Sequence, residues 1–263
     1  MKDSHFPSFV DASEEPYTSN KNSQTHKEII EKYKNTRQKL FDAEGIQPES
    51  KIVATNGPVK NVHYLKAGMG KPLIMIHGGG SHSSEWVNII KPLSEHFTLY
   101  VVDRPGCGLT DIINYRGIDY KESAIDFVSS FMDAVGLEQA SFVGQSMGGY
   151  FSICFAMQYP ERVEKLLLIG APAGMNYYIP LPLRLLGTKG LNSIIKNTIA
   201  KPSVKNAAAL YKKILVANVI KLSDDFFKHV YYHQMLPRHF KFISFPFGKC
   251  TYFKRMEKRF IYW

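Results

Sequence analysis

The sequence has little of what stabilises secreted or membrane proteins. Its three cysteines, Cys107, Cys154 and Cys250, show no spacing typical of a disulfide framework or a metal site, which favours a reducing, cytoplasmic compartment. No run of residues is long and apolar enough to span a bilayer. Residues 1–5 are charged and polar and no apolar stretch follows them, so we expect no secretory signal.

The net charge of +10 is unevenly distributed along the chain. Residues 238–263 carry seven Lys or Arg against one acid, Glu257, and are interleaved with aromatic side chains. Such a segment can bind nucleic acid or an anionic membrane. A solvated helix face is the interpretation we favour, so we expect neither a nucleic-acid nor a membrane partner. Binding to an anionic surface stays open as a third hypothesis for function.

Composition and patterning divide the chain into five parts. The polar residues 1–24 are predicted to be a disordered tail. Residues 25–50 are predicted to hold an accessory helix, outside the core, that begins at the capping-box pattern of Thr25 to Glu28 and stops at Gly45. The remaining parts are a core, a helical cap and a basic aromatic C-terminal segment, at residues 51–174, 175–240 and 241–263.

Strand and helix patterns alternate through the core, which predicts an α/β fold with a mostly parallel sheet. The apolar runs predicted to be strands lie at residues 51–55, 59–65, 72–76, 98–102, 141–143 and 163–169. The first two are separated by Asn56-Gly57-Pro58 and read as a hairpin. Between the strands, helices are predicted after a cap at Ser83 or Ser84, after a cap at Asp119, and over residues 149–159.

The part of the chain that organises the rest is a glycine-flanked serine, Gly144-Gln145-Ser146-Met147-Gly148. It lies between a predicted buried strand and a predicted helix, which is the context of a nucleophile elbow. Glycine is expected at Gly144 and Gly148 because a β-carbon there would collide with the neighbouring strand or helix. The alternative is a glycine-rich turn with an ordinary surface serine.

Taken together, these pieces resemble the α/β-hydrolase superfamily, in the branch with a helical cap after the sixth strand. The pieces that carry the resemblance are His77-Gly78-Gly79-Gly80, Asp103-Arg104-Pro105-Gly106-Cys107-Gly108, Gly144-Gln145-Ser146-Met147-Gly148-Gly149 and the strand at 163–169. The resemblance implies that Ser146 attacks a carbonyl, and that the backbone N–H groups of Met147 and Gly79, with Gly80 as the alternative, hold the oxyanion. The substrate would be a small ester or related carbonyl compound, with no cofactor and no metal. It also implies that His77 braces its loop and that Asp103 fixes the turn after its strand.

The sequence departs from the family after the cap-like region. The family continues with two strands that bring the triad acid and histidine, whereas here no Asp follows Asp225. The histidines after Ser146 are His229, His233 and His239, and their setting is typical of packed or surface residues. The triad acid and histidine are therefore not identified, and we expect a catalytically incomplete fragment with an open sheet edge that allows self-association.

Two further function classes follow from this pattern. The first is a serine hydrolase with esterase-like acyl hydrolysis. The second is a non-catalytic α/β-hydrolase-fold protein that binds a ligand or a partner through the same crevice.

Overall fold

A computed structural model describes residues 20–113, 118–170, 202–211 and 222–236 of the chain. These residues form a six-stranded sheet with helices on both faces. The predicted α/β architecture, a sheet flanked by helices, is confirmed.

The sheet has the strand order β1-β2-β4-β3-β5-β6. Its strands are β1 (Glu49–Ala54), β2 (Asn61–Ala67), β3 (Lys71–Ile76), β4 (Phe97–Val102), β5 (Ala140–Gln145) and β6 (Val163–Ile169). The first two form the predicted antiparallel hairpin, and β2 is also antiparallel to β4. The other four strands are parallel, as their continuous apolar runs predicted. Because the parallel strands share a direction, the loops after β3, β4 and β5 meet at one edge of the sheet.

Six α-helices surround this sheet in the described part of the chain. They are α1 (Asn20–Glu44), α2 (Val87–Ser94), α3 (Tyr120–Ala134), α4 (Met147–Gln158), α5 (Val204–Leu210) and α6 (Asp224–Met235). Helix α3 begins where predicted, since the Asp119 carboxylate accepts hydrogen bonds from the amides of Lys121 at 2.8 Å and Glu122 at 3.2 Å. It ends before Gly136, which has φ +71°.

Two predicted helix starts are wrong. Helix α1 begins at Asn20, so the capping-box pattern of Thr25 to Glu28 lies inside the helix. Neither Ser83 nor Ser84 caps α2, because the two serines lie in a short 3₁₀ turn that precedes the helix. Short-range capping patterns fit several registers, and the packing of the segment decides between them.

Helix α1 is part of the core, contrary to the prediction that it is an accessory. Tyr33, Leu40 and Phe41 are between 0% and 4% exposed. Leu40 and Phe41 pack in one apolar cluster with strand residues such as Leu65 and Val101. A narrow apolar stripe is thus enough to bury the helix where it fits a matching face of the sheet.

Helices α5 and α6 lie within the stretch predicted as a helical cap. The rest of that stretch, residues 175–201, 212–221 and 237–240, lies outside the described residues, as do the N-terminal residues 1–19 and the basic segment 241–263. The domain division therefore stays a prediction.

Strand β6 lies at the end of the sheet order, with Leu167, Leu168 and Ile169 between 39% and 57% exposed. Self-association along this edge stays a prediction. Among the residues described, no helix combines the length and the apolar character needed to cross a bilayer.

Candidate active site

Ser146 lies in the sharp turn between β5 and α4. Its backbone has φ 48° and ψ −114°, and it is the one residue other than glycine with positive φ in the described ranges. This conformation costs about 1–3 kcal/mol and persists only where the surroundings enforce it. Here the Ser146 amide donates to the carbonyl of Ile169 at the end of β6, at 3.0 Å. The half-buried side chain is thereby held at the head of α4.

The glycines on either side of Ser146 are required by close backbone contacts, as predicted. A β-carbon at Gly148 would overlap the carbonyl oxygen of Ile76 and lie 2.6 Å from that of His77. At Gly144 it would lie 2.6 Å from the Cα of Gly149. Real β-carbons do not come this close to backbone, so the spacing of the motif follows from how tightly α4 crosses the ends of the strands.

The loop after β3 lies against this turn. A β-carbon built on Gly78 would lie 3.5 Å from the Ser146 Cβ, and one on Gly79 would lie 2.8 Å from the Met147 sulfur. Neither the Gly79 amide nor the Met147 amide has a hydrogen-bond partner among the described residues. Gly80 also lies in this loop, with φ +68°. The structure thus brings together the serine and the amides that the sequence predicted for the oxyanion.

Asp103 connects strand β2 with the loops after β3 and β4 at this edge of the sheet. Its fully buried carboxylate accepts hydrogen bonds from His63 Nδ1 and the Ser83 amide, both at 2.6 Å, and from the Leu109 amide at 3.1 Å. Burial alone would raise the pKa of Asp103, but His63 and these donors hold it well below the usual range. Asp103 therefore stays ionised and fixes the turn, in agreement with the role implied for it.

His77 is fully buried and neutral. Its Nδ1 donates to the Gly78 carbonyl at 2.8 Å, and its Nε2 accepts from the Arg104 amide at 3.0 Å. Burial, together with the Arg104 charge, lowers the pKa of His77 to about 3. With both nitrogens engaged in holding loops, His77 has no capacity to act as a base for Ser146.

A different serine, Ser50, lies in a Ser-His-Asp chain of hydrogen bonds, which the sequence did not reveal. Ser50 Oγ lies 2.8 Å from His63 Nε2, and Asp103 holds the opposite nitrogen. However, the Arg37 guanidinium donates to the same His63 Nε2 at 3.1 Å and to Ser50 Oγ at 2.8 Å. The guanidinium thus occupies the nitrogen that would have to accept the Ser50 proton, and the chain anchors α1 to β1 and β2.

The two described histidines that follow Ser146 are hydrogen-bonded to other residues. His229 Nδ1 donates to the Thr36 hydroxyl at 3.0 Å, and its ring stacks on Tyr33 with centroids 4.6 Å apart. His233 Nε2 accepts from the Gly108 amide at 3.2 Å. Burial holds the pKa of His229 well below its usual value. Both are packed residues, and His239 lies outside the described residues.

Glu85 links the loop after β3 to α5. Its carboxylate accepts from the Ser81 hydroxyl and, at 2.9 Å, from the Tyr211 hydroxyl at the end of α5. Burial raises the pKa of Glu85, while these two hydroxyl donors oppose the shift.

Over the described residues, no group of three or more His, Cys, Asp or Glu side chains is arranged to hold a metal ion.

Comparison with known proteins adds a family to this geometry. A sequence model of the alpha/beta hydrolase fold family matches residues 71–186. A 2-hydroxy-6-oxo-6-phenylhexa-2,4-dienoate hydrolase of Comamonas testosteroni is 31% identical over 163 residues, which are 59% of this chain and 53% of that protein. A 2-hydroxy-6-oxononadienedioate/2-hydroxy-6-oxononatrienedioate hydrolase of Paraburkholderia phymatum is 32% identical over 160 residues, with the same two coverages.

The solved structures that are similar to this chain include hydrolases as well. A meta-cleavage product hydrolase from Pseudomonas fluorescens IP01 has a TM-score of 0.59 at 27% identity, over 74% of this chain and 66% of that one. A carboxylesterase from Bacillus subtilis, at 22% identity, matches in fold with a TM-score of 0.61 over 78% and 67%. The chain spans about half the length of the curated relatives it matches. The described residues have the α/β-hydrolase fold, and these relatives are hydrolases.

Proposed function

We propose that this α/β-hydrolase is a serine-type hydrolase, in which Ser146 attacks the carbonyl carbon of a small molecule. The observation that carries the proposal is the φ of 48° at Ser146, a strained conformation at the head of α4 and beside the Gly78–Gly79 loop. Strain of this kind at a non-glycine residue is typical of functional sites. No cofactor or metal is part of the proposed chemistry.

The reaction would proceed through a covalent acyl-enzyme. The Ser146 oxygen forms a bond to the carbonyl carbon, its proton passes to a base, and the carbonyl oxygen becomes an oxyanion. The amides of Met147 and Gly79 would each donate to that oxygen, and Met147 adds the positive end of the α4 dipole. Collapse of the oxyanion breaks the bond to the leaving group, which takes up a proton. Water then releases the acid from Ser146.

The names of the relatives indicate which group would leave the carbonyl carbon. The curated relatives with 31% and 32% identity are named for 2-hydroxy-6-oxo-dienoate substrates, in which hydrolysis breaks a carbon–carbon bond beside a ketone. We propose a substrate of this class for the present protein, with simple esters as slower substrates of the same serine. Both substrates place a carbonyl carbon at Ser146 and differ only in which atom departs.

No described side chain is hydrogen-bonded to the Ser146 hydroxyl, and His77, His229 and His233 are bonded to other groups. Without a base, the hydroxyl is a weak nucleophile, and loss of the base typically lowers kcat by about a million-fold. We therefore expect this chain to hydrolyse its substrate slowly, while Ser146 still reacts with strongly electrophilic probes.

A turnover assay tests the substrate class. 2-Hydroxy-6-oxo-6-phenylhexa-2,4-dienoate and p-nitrophenyl acetate are each incubated with the wild-type chain, Ser146→Ala and Ser50→Ala. Hydrolysis that disappears in Ser146→Ala and persists in Ser50→Ala supports the proposal, and faster loss of the dienoate supports the carbon–carbon class. Hydrolysis that survives in Ser146→Ala would refute the role of this serine.

A non-catalytic binding protein is the second candidate. It is favoured by the hydrogen bonds that His229 and His233 make to groups other than Ser146. It predicts saturable binding of the dienoate with no conversion, even at high protein concentration. Isothermal titration beside the turnover assay separates the two candidates, because a binder gives heat of association without product.

A further inference from the structure

Arg104 lies beneath the loop that carries the Gly79 amide. It lies two residues after the end of β4 and is fully buried, with its guanidinium carbon 5.5 Å from the ring centre of Phe151 on α4. Its Nε donates to the His77 carbonyl at 2.9 Å and its Nη2 donates to the Gly78 carbonyl at 2.6 Å. A planar fork of donors in fixed geometry thus holds two successive carbonyls of one loop.

The contact with Gly78 determines the direction of the next amide. No peptide bond in the described residues is cis, so the Gly78 carbonyl and the Gly79 N–H point in opposite directions across one plane. The carbonyl points to Arg104, and the N–H therefore points away from it. The Gly78–Gly79 backbone lies against Ser146 and Met147, and the Gly79 amide has no partner in the described ranges.

We propose that Arg104 is a positioning residue, which keeps the Gly78–Gly79 peptide turned so that the Gly79 amide is available to an oxyanion at Ser146. This inference rests on the function proposed above. The Gly78 carbonyl accepts from both Arg104 Nη2 and His77 Nδ1, so both of its lone pairs are engaged. A flip of this peptide would break both bonds and bury a guanidinium without its acceptor, which makes the flipped state unfavourable.

Arg162 offers a matched control at the opposite end of the sheet. It also donates to two carbonyls, those of Leu137 and Glu138, and also lies over a phenylalanine ring, that of Phe155 at 5.8 Å. Its contacts are with the turn after α3, far in sequence from the loop after β3. Arg→Lys at the two positions therefore removes the same kind of fork, and only Arg104→Lys should affect Ser146.

The test measures the second-order rate of phosphonylation of Ser146 by a fluorophosphonate, followed by intact mass and peptide mapping. A phosphonyl oxygen requires the same amides as an acyl oxyanion, and loss of one donor typically lowers such rates about 100–1,000-fold. We expect a fall of about 10–100-fold in Arg104→Lys, since the amide is misdirected rather than removed, and less than about twofold in Arg162→Lys. Thermal unfolding of both variants checks that the fold is retained.

Equal labelling rates in the two variants, with both folded, would overturn the inference. If Arg104→Lys does not fold, Arg104→Gln removes the fork without leaving a mismatched charge buried, and Arg162→Gln is its control. A several-fold fall in the labelling rate of Arg104→Gln relative to Arg162→Gln supports the inference, and equal rates overturn it.

Failure of the proposed function gives a different result, namely no labelling of Ser146 in the wild-type chain. The orientation of the peptide can still be read from the Gly79 amide resonance in ¹⁵N-glycine-labelled protein. A resonance that moves in Arg104→Lys and stays in Arg162→Lys supports the positioning role, and one that stays in both refutes it.

Discussion

Replacing Asp103 by asparagine is the perturbation that most severely tests how the candidate site is held. The two side chains have the same shape, so no cavity forms and the effect comes from charge and hydrogen bonding. In the native protein the carboxylate accepts from three donors, two of them at 2.6 Å. An asparagine presents one oxygen and one NH₂ group, and in either orientation the NH₂ faces a donor.

The expected cost follows from those contacts. Each buried donor left without an acceptor costs about 1–3 kcal/mol, and more where the lost acceptor was charged. Depending on its orientation, the asparagine leaves one or two of the three donors without an acceptor. We therefore expect the free energy of unfolding to fall by about 3–5 kcal/mol, which for a domain of this size lowers Tm by roughly 6–20 °C. Urea denaturation followed by circular dichroism measures the change.

The pH dependence of the free energy of unfolding is a second, independent test of the same substitution. The pKa of Asp103 is held below its unfolded value, so the ionised carboxylate contributes stability above about pH 4. That contribution is lost as the pH falls through the lowered pKa, because the unfolded state binds the proton first. The difference between wild type and Asp103→Asn should therefore shrink as the pH falls below about 4.

Asp133→Asn is the matched control. Asp133 pairs with Arg162 at 2.7 Å, but its side chain is 64% exposed, so the same substitution should cost less than about 1 kcal/mol. An Asp103→Asn variant as stable as Asp133→Asn would show that the buried carboxylate does not hold β2 and the loops after β3 and β4 together, and the reasoning about this site would be wrong.

Three further substitutions probe neighbouring features. Gly148→Ala places a β-carbon against the Ile76 carbonyl and should lower the free energy of unfolding by about 1–3 kcal/mol, measured by urea denaturation. His82→Phe should flatten the loss of stability between pH 6.5 and 4, because burial lowers the pKa of His82 to about 4 and the folded state keeps the ring neutral; an unchanged slope would contradict this. Tyr211→Phe removes the hydroxyl that donates to Glu85 and should lower Tm by a few degrees, measured by calorimetry.

The sheet and the elbow were predictable because their signals are local. Continuous apolar runs marked the parallel strands, and glycines placed two residues before and after Ser146 marked a turn whose close contacts the structure confirms. The cap of α3 at Asp119 was equally local, since a carboxylate and two amides within three residues define it.

The buried polar network could not be predicted because its contacts join distant positions. Arg37 and His63 are 26 residues apart, and His63 and Asp103 are 40 apart. On its own, Arg37 looks like an exposed charge on a polar helix, yet it is 6% exposed in the structure. The one available signal was His63, a titratable residue inside an otherwise apolar strand. Burial of such a residue requires partners that only the assembled fold supplies.

We expect Ser146, Gly79 and Met147 to form one reactive site, and a crystal structure of the phosphonylated chain is the decisive measurement. It should show a covalent bond from Ser146 Oγ to phosphorus, with the phosphonyl oxygen about 2.7–3.1 Å from the amide nitrogens of both Gly79 and Met147. An adduct on Ser50, or a phosphonyl oxygen on Ser146 that contacts neither amide, would contradict it.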